Sequence, residues 1–390
     1  MSKHALLSAS GSSRWLECTP SARLELQFPK KSSSYADEGT AAHELCELAA
    51  RYWLGELSEE DYEDKLAGLA KGKYYNAEMQ ECAVEYGRFI SETVKARRDE
   101  CPDAIVELEV KRLDFSEWVP EGFGTGDCII VADDLLEVID FKYGKGVRVE
   151  AEGNSQMRLY ALGAIKLYGE LYDIRRVRMS IIQPRINREP STDEISIAEL
   201  LDWAENYVRP KAELAFAGEG DFKPGEKTCK FCRAKEQCKA RYEKNLALFD
   251  ETPDTLLITP DEAGAVLEKA SDIKAWLSDL ENLVMTKLFE GEPVKGWKLV
   301  EGRSNRKYTD ELKVAEAMKA AGYDEALLYE RSLLGITAME KAFGKKAVGE
   351  ILKDLIYKPQ GKPTLAPSND KRAEFKPEEL VLDAFDDAEE

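Results

Sequence analysis

The apolar positions along the chain change their period several times, and each change marks a predicted element. In residues 38–54, Ala41, Ala42, Leu45, Leu48, Ala49 and Tyr52 recur at helical spacing, which predicts a helix. A second helix is predicted over 76–99. Residues 104–110 alternate apolar and acidic side chains as a half-buried strand does. Two further strands are predicted over 127–131 and 135–142. Asp133-Asp134 lies between them as a tight acidic turn, so the pair reads as a hairpin. Residues 154–168 return to helical spacing through Met157, Leu159, Tyr160, Leu162, Ile165 and Leu167. A strand over 177–183 and a helix over 195–217 follow. This order predicts an α/β domain, a mixed sheet flanked by helices, with its chain ends near residues 15 and 245.

A second region begins near residue 255. In Thr259-Pro260-Asp261-Glu262, Thr259 is placed to cap a helix, proline occupies the first turn, and an acid follows three residues after the cap. A long helix to about Phe289 is expected, then a small hairpin over 291–308 and helices over 310–321, 336–342 and 344–355. From Lys358 the chain is proline-rich and polar, and the last ~20 residues read as flexible. The predicted domains are thus 1–248, a mainly helical 255–357, and a linker with an acidic tail over 358–390.

Composition narrows the class. The chain has 390 residues, 43% hydrophobic and 33% charged, as in an ordinary soluble protein. It lacks a run of ~18 apolar residues, so no membrane span is expected. The apolar stretch near Met1 is short for a signal peptide, which places the protein, as an expectation, in the cytoplasm of a bacterium or phage-infected cell. The net charge of -20 argues against indiscriminate coating of nucleic acid. The acid is concentrated, however, in 56–64, in 250–262 and in a tail from Glu378 to Glu390. Basic residues bunch at Arg175, Arg176, Arg178, Arg185 and Arg188 and again from Lys227 to Lys244, so a narrow basic channel stays open as a possibility.

Eight cysteines in a cytoplasmic protein point to buried thiols or metal ligands rather than disulfides. Cys46, Cys82, Cys101 and Cys128 lie in or beside periodic apolar segments and read as small core residues. Cys229, Cys232 and Cys238 have C-x2-C-x5-C spacing with lysines and an arginine between them, which suits a metal site better than apolar packing. A fourth ligand is needed, and Cys18 is the best placed. Four thiolates suit zinc or a [4Fe–4S] cluster.

The candidate chemistry lies between residues 39 and 160. His43 and Glu47 share one helical face. Gly124-Thr125-Gly126-Asp127 opens one predicted strand. Asp140 and Lys142 end the next and point to one face, while Ile139 and Phe141 point to the other. Gln156 and Tyr160 share a face of the following helix. Each piece alone reads more readily as a structural histidine, a surface ion pair or an ordinary helix. Together they supply what phosphodiester hydrolysis needs: hard oxygen ligands for Mg²⁺ or Mn²⁺, a lysine to orient or deprotonate water and offset charge, and a histidine to complete the metal shell.

The ordered set His43, Asp127, Asp140-x-Lys142 and Gln156-x-x-x-Tyr160 resembles the PD-(D/E)xK nucleases of the RecB-like branch. The resemblance implies a restriction-endonuclease-like mixed sheet. It implies metal ligation by His43, Asp127, Asp140 and the Phe141 carbonyl, a water-orienting Lys142, and Gln156 and Tyr160 facing the site and the DNA. The second acid is often Glu in that family and is Asp here. Cys18 before the histidine motif and Cys229, Cys232 and Cys238 after the last strand resemble the iron–sulfur members of that branch, the AddB, CRISPR-adaptation and exonuclease V types. In those proteins a [4Fe–4S] cluster staples the two ends of the domain, here across about 210 residues. The basic residues near the cysteines, Lys227, Lys230, Arg233, Lys235, Lys239 and Arg241, read either as phosphate contacts or as balance for the cluster's charge.

The whole chain, including residues 301–308 with Arg303, Arg306 and Lys307, also resembles a phage and prophage family of unassigned function. The expected activity is a DNA exonuclease in phage recombination, replication or end processing. The alternative is a non-cleaving DNA-binding or assembly module on the same fold. With no G-x-x-x-x-G-K-[ST] motif, a helicase or a single-strand-binding or annealing protein is the expected partner.

Overall fold

A computed structural model describes residues 5–29, 34–247, 259–300, 311–321 and 334–352, with the single positions 328 and 355. Two compact units divide the chain, Met1–Trp297 and Lys298–Glu390.

The first unit opens with two short helices, α1 (Ser12–Trp15) and α2 (Ser21–Leu24), and then the helices α3 (Ser34–Trp53), α4 (Glu59–Leu69) and α5 (Ala77–Glu100). Three strands follow, β1 (Ile105–Asp114), β2 (Phe123–Ala132) and β3 (Leu135–Phe141). Helix α6 (Ser155–Tyr168) crosses to β4 (Arg176–Gln183), and β5 (Asn187–Ser196) turns back beside it. Helix α7 (Ile197–Trp203) runs through a π-helical stretch, Ala204–Val208, into α8 (Arg209–Ala217). Two small helices, α9 (Glu226–Cys229) and α10 (Lys239–Ala247), precede the long α11 (Pro260–Phe289). The sheet order is β1-β2-β3-β4-β5, and only β3 and β4 are parallel. A parallel neighbour needs a crossover, and α6 supplies it.

The sheet is covered on both faces, which explains why β3 is apolar at five of its seven positions and buried throughout. One face packs α6 to α8 and the N-terminal segment through Trp15, Leu113, Phe115, Leu159, Leu162 and Met179. The other packs α3 and α5 through Leu45, Met79, Tyr86, Ile90, Ile130 and Phe141. Gly163 in α6 lets this helix lie directly on β1, since a Cβ there would sit 2.7 Å from the Leu113 backbone.

Several elements differ from the sequence expectation. Helix α4 is amphipathic only weakly and buries no residue, so periodicity does not reveal it; Ser58 caps it by accepting from Asp61 N. Strand β5 is polar along most of its length and carries Pro190, as an edge strand can. The single helix expected over 195–217 is two helices joined by the π-helical stretch. Cys46, Cys82 and Cys128 are buried, but Cys101 is not a core residue: it ends α5 half-exposed, with Sγ 3.1 Å from Asp103 Oδ1.

The boundary between units also differs. Helix α11 has the predicted capping box at Thr259 and Glu262, yet it belongs to the first unit. Trp276 is 4% exposed and meets Tyr242 of α10 edge-on at 6.1 Å. Asp279 takes Arg241 at 2.6 Å and Lys235 at 2.7 Å, and Asp272 takes Lys244 at 3.0 Å. The linker expected near 250 therefore does not separate two cores.

In the second unit the described elements are α12 (Glu311–Ala320), α13 (Ile336–Phe343) and α14 (Lys345–Ile351), the last two packed across Gly344 at φ 87°. Residues 291–300 carry no strand, and the rest of the expected hairpin, with Arg303, Arg306 and Lys307, lies outside the described residues, as do His4 and the acidic tail. Among the described residues no helix is long and apolar enough to cross a membrane.

Candidate active site and cysteine pocket

The end of β3 places two charged side chains on one side of a buried strand. Phe141, fully buried, anchors the other side against Tyr86 at 5.4 Å and against the His43 ring at 5.5 Å. The alternation thus aims Asp140 and Lys142 together: Lys142 Nζ lies 2.9 Å from Asp140 Oδ2. Lys142 also donates to Gln156 Oε1 at 3.2 Å, and Gln156 Nε2 donates to Tyr160 OH at 3.0 Å and to Asp140 Oδ1 at 3.4 Å. Asn154 positions this face of α6 by capping it, accepting from Gln156 N and Met157 N. Tyr160 packs over Gly124, where any Cβ would come within 2.6 Å of its ring. This gives Gly124 a steric role.

Asp127 lies one step beyond the Cys128–Ile139 pair of the β2–β3 register, opposite Asp140. Its Oδ2 accepts from Phe141 N at 2.7 Å, and its Oδ1 lies 3.3 Å from His43 Nδ1 of α3. Asp127, Asp140, Lys142, Gln156 and Tyr160 are thus linked through β3, with His43 joined at one side.

The structure adds Glu109, which the alternation of β1 had placed on a solvent face. Leu108 pairs with Cys128 and Val110 with Gly126, so Glu109 lies directly opposite Asp127. It has φ 52°, in the left-handed region, just before the irregularity between Val110 and Leu113. Among the described residues, His43, Glu109 and Asp127 are the set of potential metal ligands whose donor atoms lie within 4.8 Å of one another. No local signal flags Glu109, because β1 also carries Glu107, Lys111, Arg112 and Asp114 and the backbone conformation of Glu109 is not visible in the sequence.

The electrostatics follow from this crowding. Burial and the neighbouring charges of Asp127 and Glu47 push the Glu109 carboxyl up to about 7. Burial likewise raises the Asp140 carboxyl, although Lys142 pulls it down. For Lys142, burial opposes the charged form, but Asp140 outweighs it and the ammonium is held above its ordinary range. For His43, burial opposes protonation, while the hydrogen bond and charge of Asp127 raise it overall.

The basic clusters are largely consumed by acids. Arg175 pairs with Asp173, Arg176 with Asp134, Arg178 with Glu194 and Glu137, Arg185 with Glu78, and Arg188 with Glu85. Lys235, Lys239, Arg241 and Lys244 are paired as well.

Away from this site, Cys18, Cys229, Cys232 and Cys238 line one pocket. Lys223 N lies 3.4 Å from Cys18 Sγ, and Gly225 N 3.4 Å from Cys229 Sγ, as donors. Burial raises the Cys18 thiol and pushes the Cys232 thiol up to about 11. Polar ties surround the pocket. Thr19 donates to the Glu219 carbonyl at 2.6 Å, Arg23 to the Phe216 carbonyl at 2.6 Å, and Arg233 N to the buried Glu25 at 2.7 Å, while Arg14 pairs with Glu25 at 2.6 Å.

Among solved structures, one titled "Crystal structure of SSO0001" is similar at 15% identity and a TM-score of 0.24, over 59% of this chain and 96% of that one. A family profile matches residues 4–373, and the chain therefore belongs to the DUF2800 family, whose description reads "Protein of unknown function".

Proposed function

We propose that the protein is a metal-dependent DNA nuclease of the RecB-like PD-(D/E)xK type, an exonuclease acting in phage DNA recombination, replication or end processing. The observation that carries this reading is the convergence of His43, Asp127, Asp140, Lys142, Gln156 and Tyr160, drawn from two helices and two strands, onto one end of the sheet. Local sequence spacing imposes only the pairs within an element. Bringing α3, β2, β3 and α6 to one point is a tertiary event.

His43, Asp127, Asp140 and the Phe141 carbonyl would hold Mg²⁺ or Mn²⁺, which when bound supplies Lewis acidity at the scissile phosphate. A carboxylate-rich donor set with one imidazole fits a hard or borderline cation. Lys142, held by Asp140 and Gln156, orients the attacking water and offsets negative charge on the phosphate. Gln156 fixes the direction of both charged groups, and Tyr160 presents its hydroxyl beside them for a backbone phosphate. The exposed Lys145, three residues beyond Lys142, offers a further positive charge toward the DNA.

Cys18, Cys229, Cys232 and Cys238 would hold a [4Fe–4S] cluster. The four thiols share one pocket, and two of the sulfurs lie within reach of backbone N–H donors that suit thiolate ligands. The cluster's role would be structural, tying the N-terminal segment to α9. In this reading the enzyme works in the bacterial cytoplasm, and a helicase or annealing partner supplies opened DNA.

The test is cleavage of labelled single- and double-stranded DNA by anaerobically purified protein with Mn²⁺. Activity lost in Asp140→Ala and Lys142→Ala, with bound iron and broad absorbance near ~400 nm in the wild type, is the expected result. Wild-type protein that cleaves neither substrate overturns the reading.

A further inference from the structure

Glu109 and Asp127 face each other across β1 and β2, and like charges directly opposite in a sheet destabilise it. The strand reaches this arrangement through a left-handed residue at Glu109 itself. Neither feature helps the fold. His43 closes the third side, and the three donor groups lie within 4.8 Å of one another. Asp140, which contacts Lys142 and Gln156, is not part of this set.

A second observation points to an occupant. His43, Cys46, Glu47, Tyr86, Glu109 and Asp127 line one pocket. The Tyr86 hydroxyl there has no hydrogen-bond partner although the residue is only 2% exposed. A buried hydroxyl without a partner is costly, and it leaves a polar group beside these three donors unsatisfied.

We infer that Glu109, His43 and Asp127 form a divalent-cation site of their own, with Glu109 as a ligand. One imidazole and two carboxylates favour Mn²⁺ over Mg²⁺, since imidazole binds transition metals better than it binds magnesium. His43 and Asp127 would then be shared between this position and the Asp140 side of the site. The inference deepens the nuclease reading but does not depend on DNA cleavage.

The experiment is Mn²⁺ titration of the full-length protein, followed by calorimetry and by the paramagnetic resonance of free Mn²⁺. Glu109→Gln is expected to weaken Mn²⁺ binding at least ten-fold, whereas Asp64→Asn, an exposed acid on α4, leaves it unchanged. In chelator, Glu109→Gln should melt no lower than the wild type, because the repulsion with Asp127 is gone, and added Mn²⁺ should raise the melting temperature of the wild type more than that of the variant. Should the variant fail to fold, Mn²⁺-soaked crystals of the wild type decide, with the anomalous peak expected against the Glu109 carboxylate.

Wild-type affinity in Glu109→Gln, or a peak held by Asp127 and Asp140 without Glu109, overturns the inference and leaves the nuclease reading standing. Mn²⁺ bound through Glu109 in a protein that cuts no DNA does the reverse.

Discussion

Lys142 Nζ lies 2.9 Å from Asp140 Oδ2, on the same face of β3, with Asp140 3% exposed. Removing the lysine leaves a buried carboxylate without its counter-charge. Breaking a fully buried pair costs about 3–5 kcal/mol. Because the Lys142 side chain is 26% exposed, Lys142→Met is expected to cost about 2 kcal/mol in urea unfolding. Cleavage should fall by at least about 100-fold in the same variant. Unchanged stability would show that Asp140 takes up a proton at no cost and that the pair contributes little to the fold.

The cysteine pocket allows a separate prediction. A cross-link closing about 210 residues removes about 5 kcal/mol of unfolded-chain freedom by the loop-entropy argument. If the proposed cluster is that cross-link, Cys18→Ser should lose bound iron, bleach the absorbance near ~400 nm and lower the urea midpoint. The ties from Thr19, Arg23 and Arg233 remain, so the segment stays docked in the folded state. Iron content equal to that of the wild type would remove Cys18 from the ligand set.

Helix α11 supplies a test of the domain boundary. Trp276 is buried against α10, and truncating a buried tryptophan to alanine costs about 3–5 kcal/mol. Trp276→Ala should destabilise the same cooperative transition that Lys142→Met does. If α11 were instead a separate domain, Trp276→Ala would leave that transition where it is.

Asp114 gives a pH dependence outside the active site. Burial opposes its charged form, but hydrogen bonds from the Ser116 side chain, from Lys166 at 2.9 Å and from the Ser116 N–H at 2.9 Å lower its carboxyl to about 2. A folded-state value below the unfolded one of about 3.9 means stability that is complete above that value and lost as pH falls toward about 2. Asp114→Asn should flatten this part of the profile of urea midpoint against pH. A profile identical to the wild type would show that the pair is screened in solution.

The sequence shows its local geometry plainly and its long-range pairings hardly at all. The helices α3, α5 and α6 and the central strands are visible because one face of each is apolar at the period of its element. Strand β5 and helix α4 are not visible, since neither contributes much to the core and their polar side chains carry no period. The pairing of Asp140 with Lys142 is readable two residues apart in a strand, and that of Gln156 with Tyr160 one turn apart in a helix. The opposition of Glu109 and Asp127 is not, because it depends on the register of β1 against β2 and on one left-handed residue.

By itself, then, the sequence determined the α/β order, the apolar faces and the short-range spacing of the acids, the lysine and the three clustered cysteines, all of which follow from backbone period. Only the tertiary structure decided that Cys18 shares a pocket with cysteines some 210 residues away, that the arginines of β4 are spent on acids of β3 and β5, and that Glu109 joins His43 and Asp127. Those relationships are made by strand register and by packing between distant segments, which no local pattern encodes.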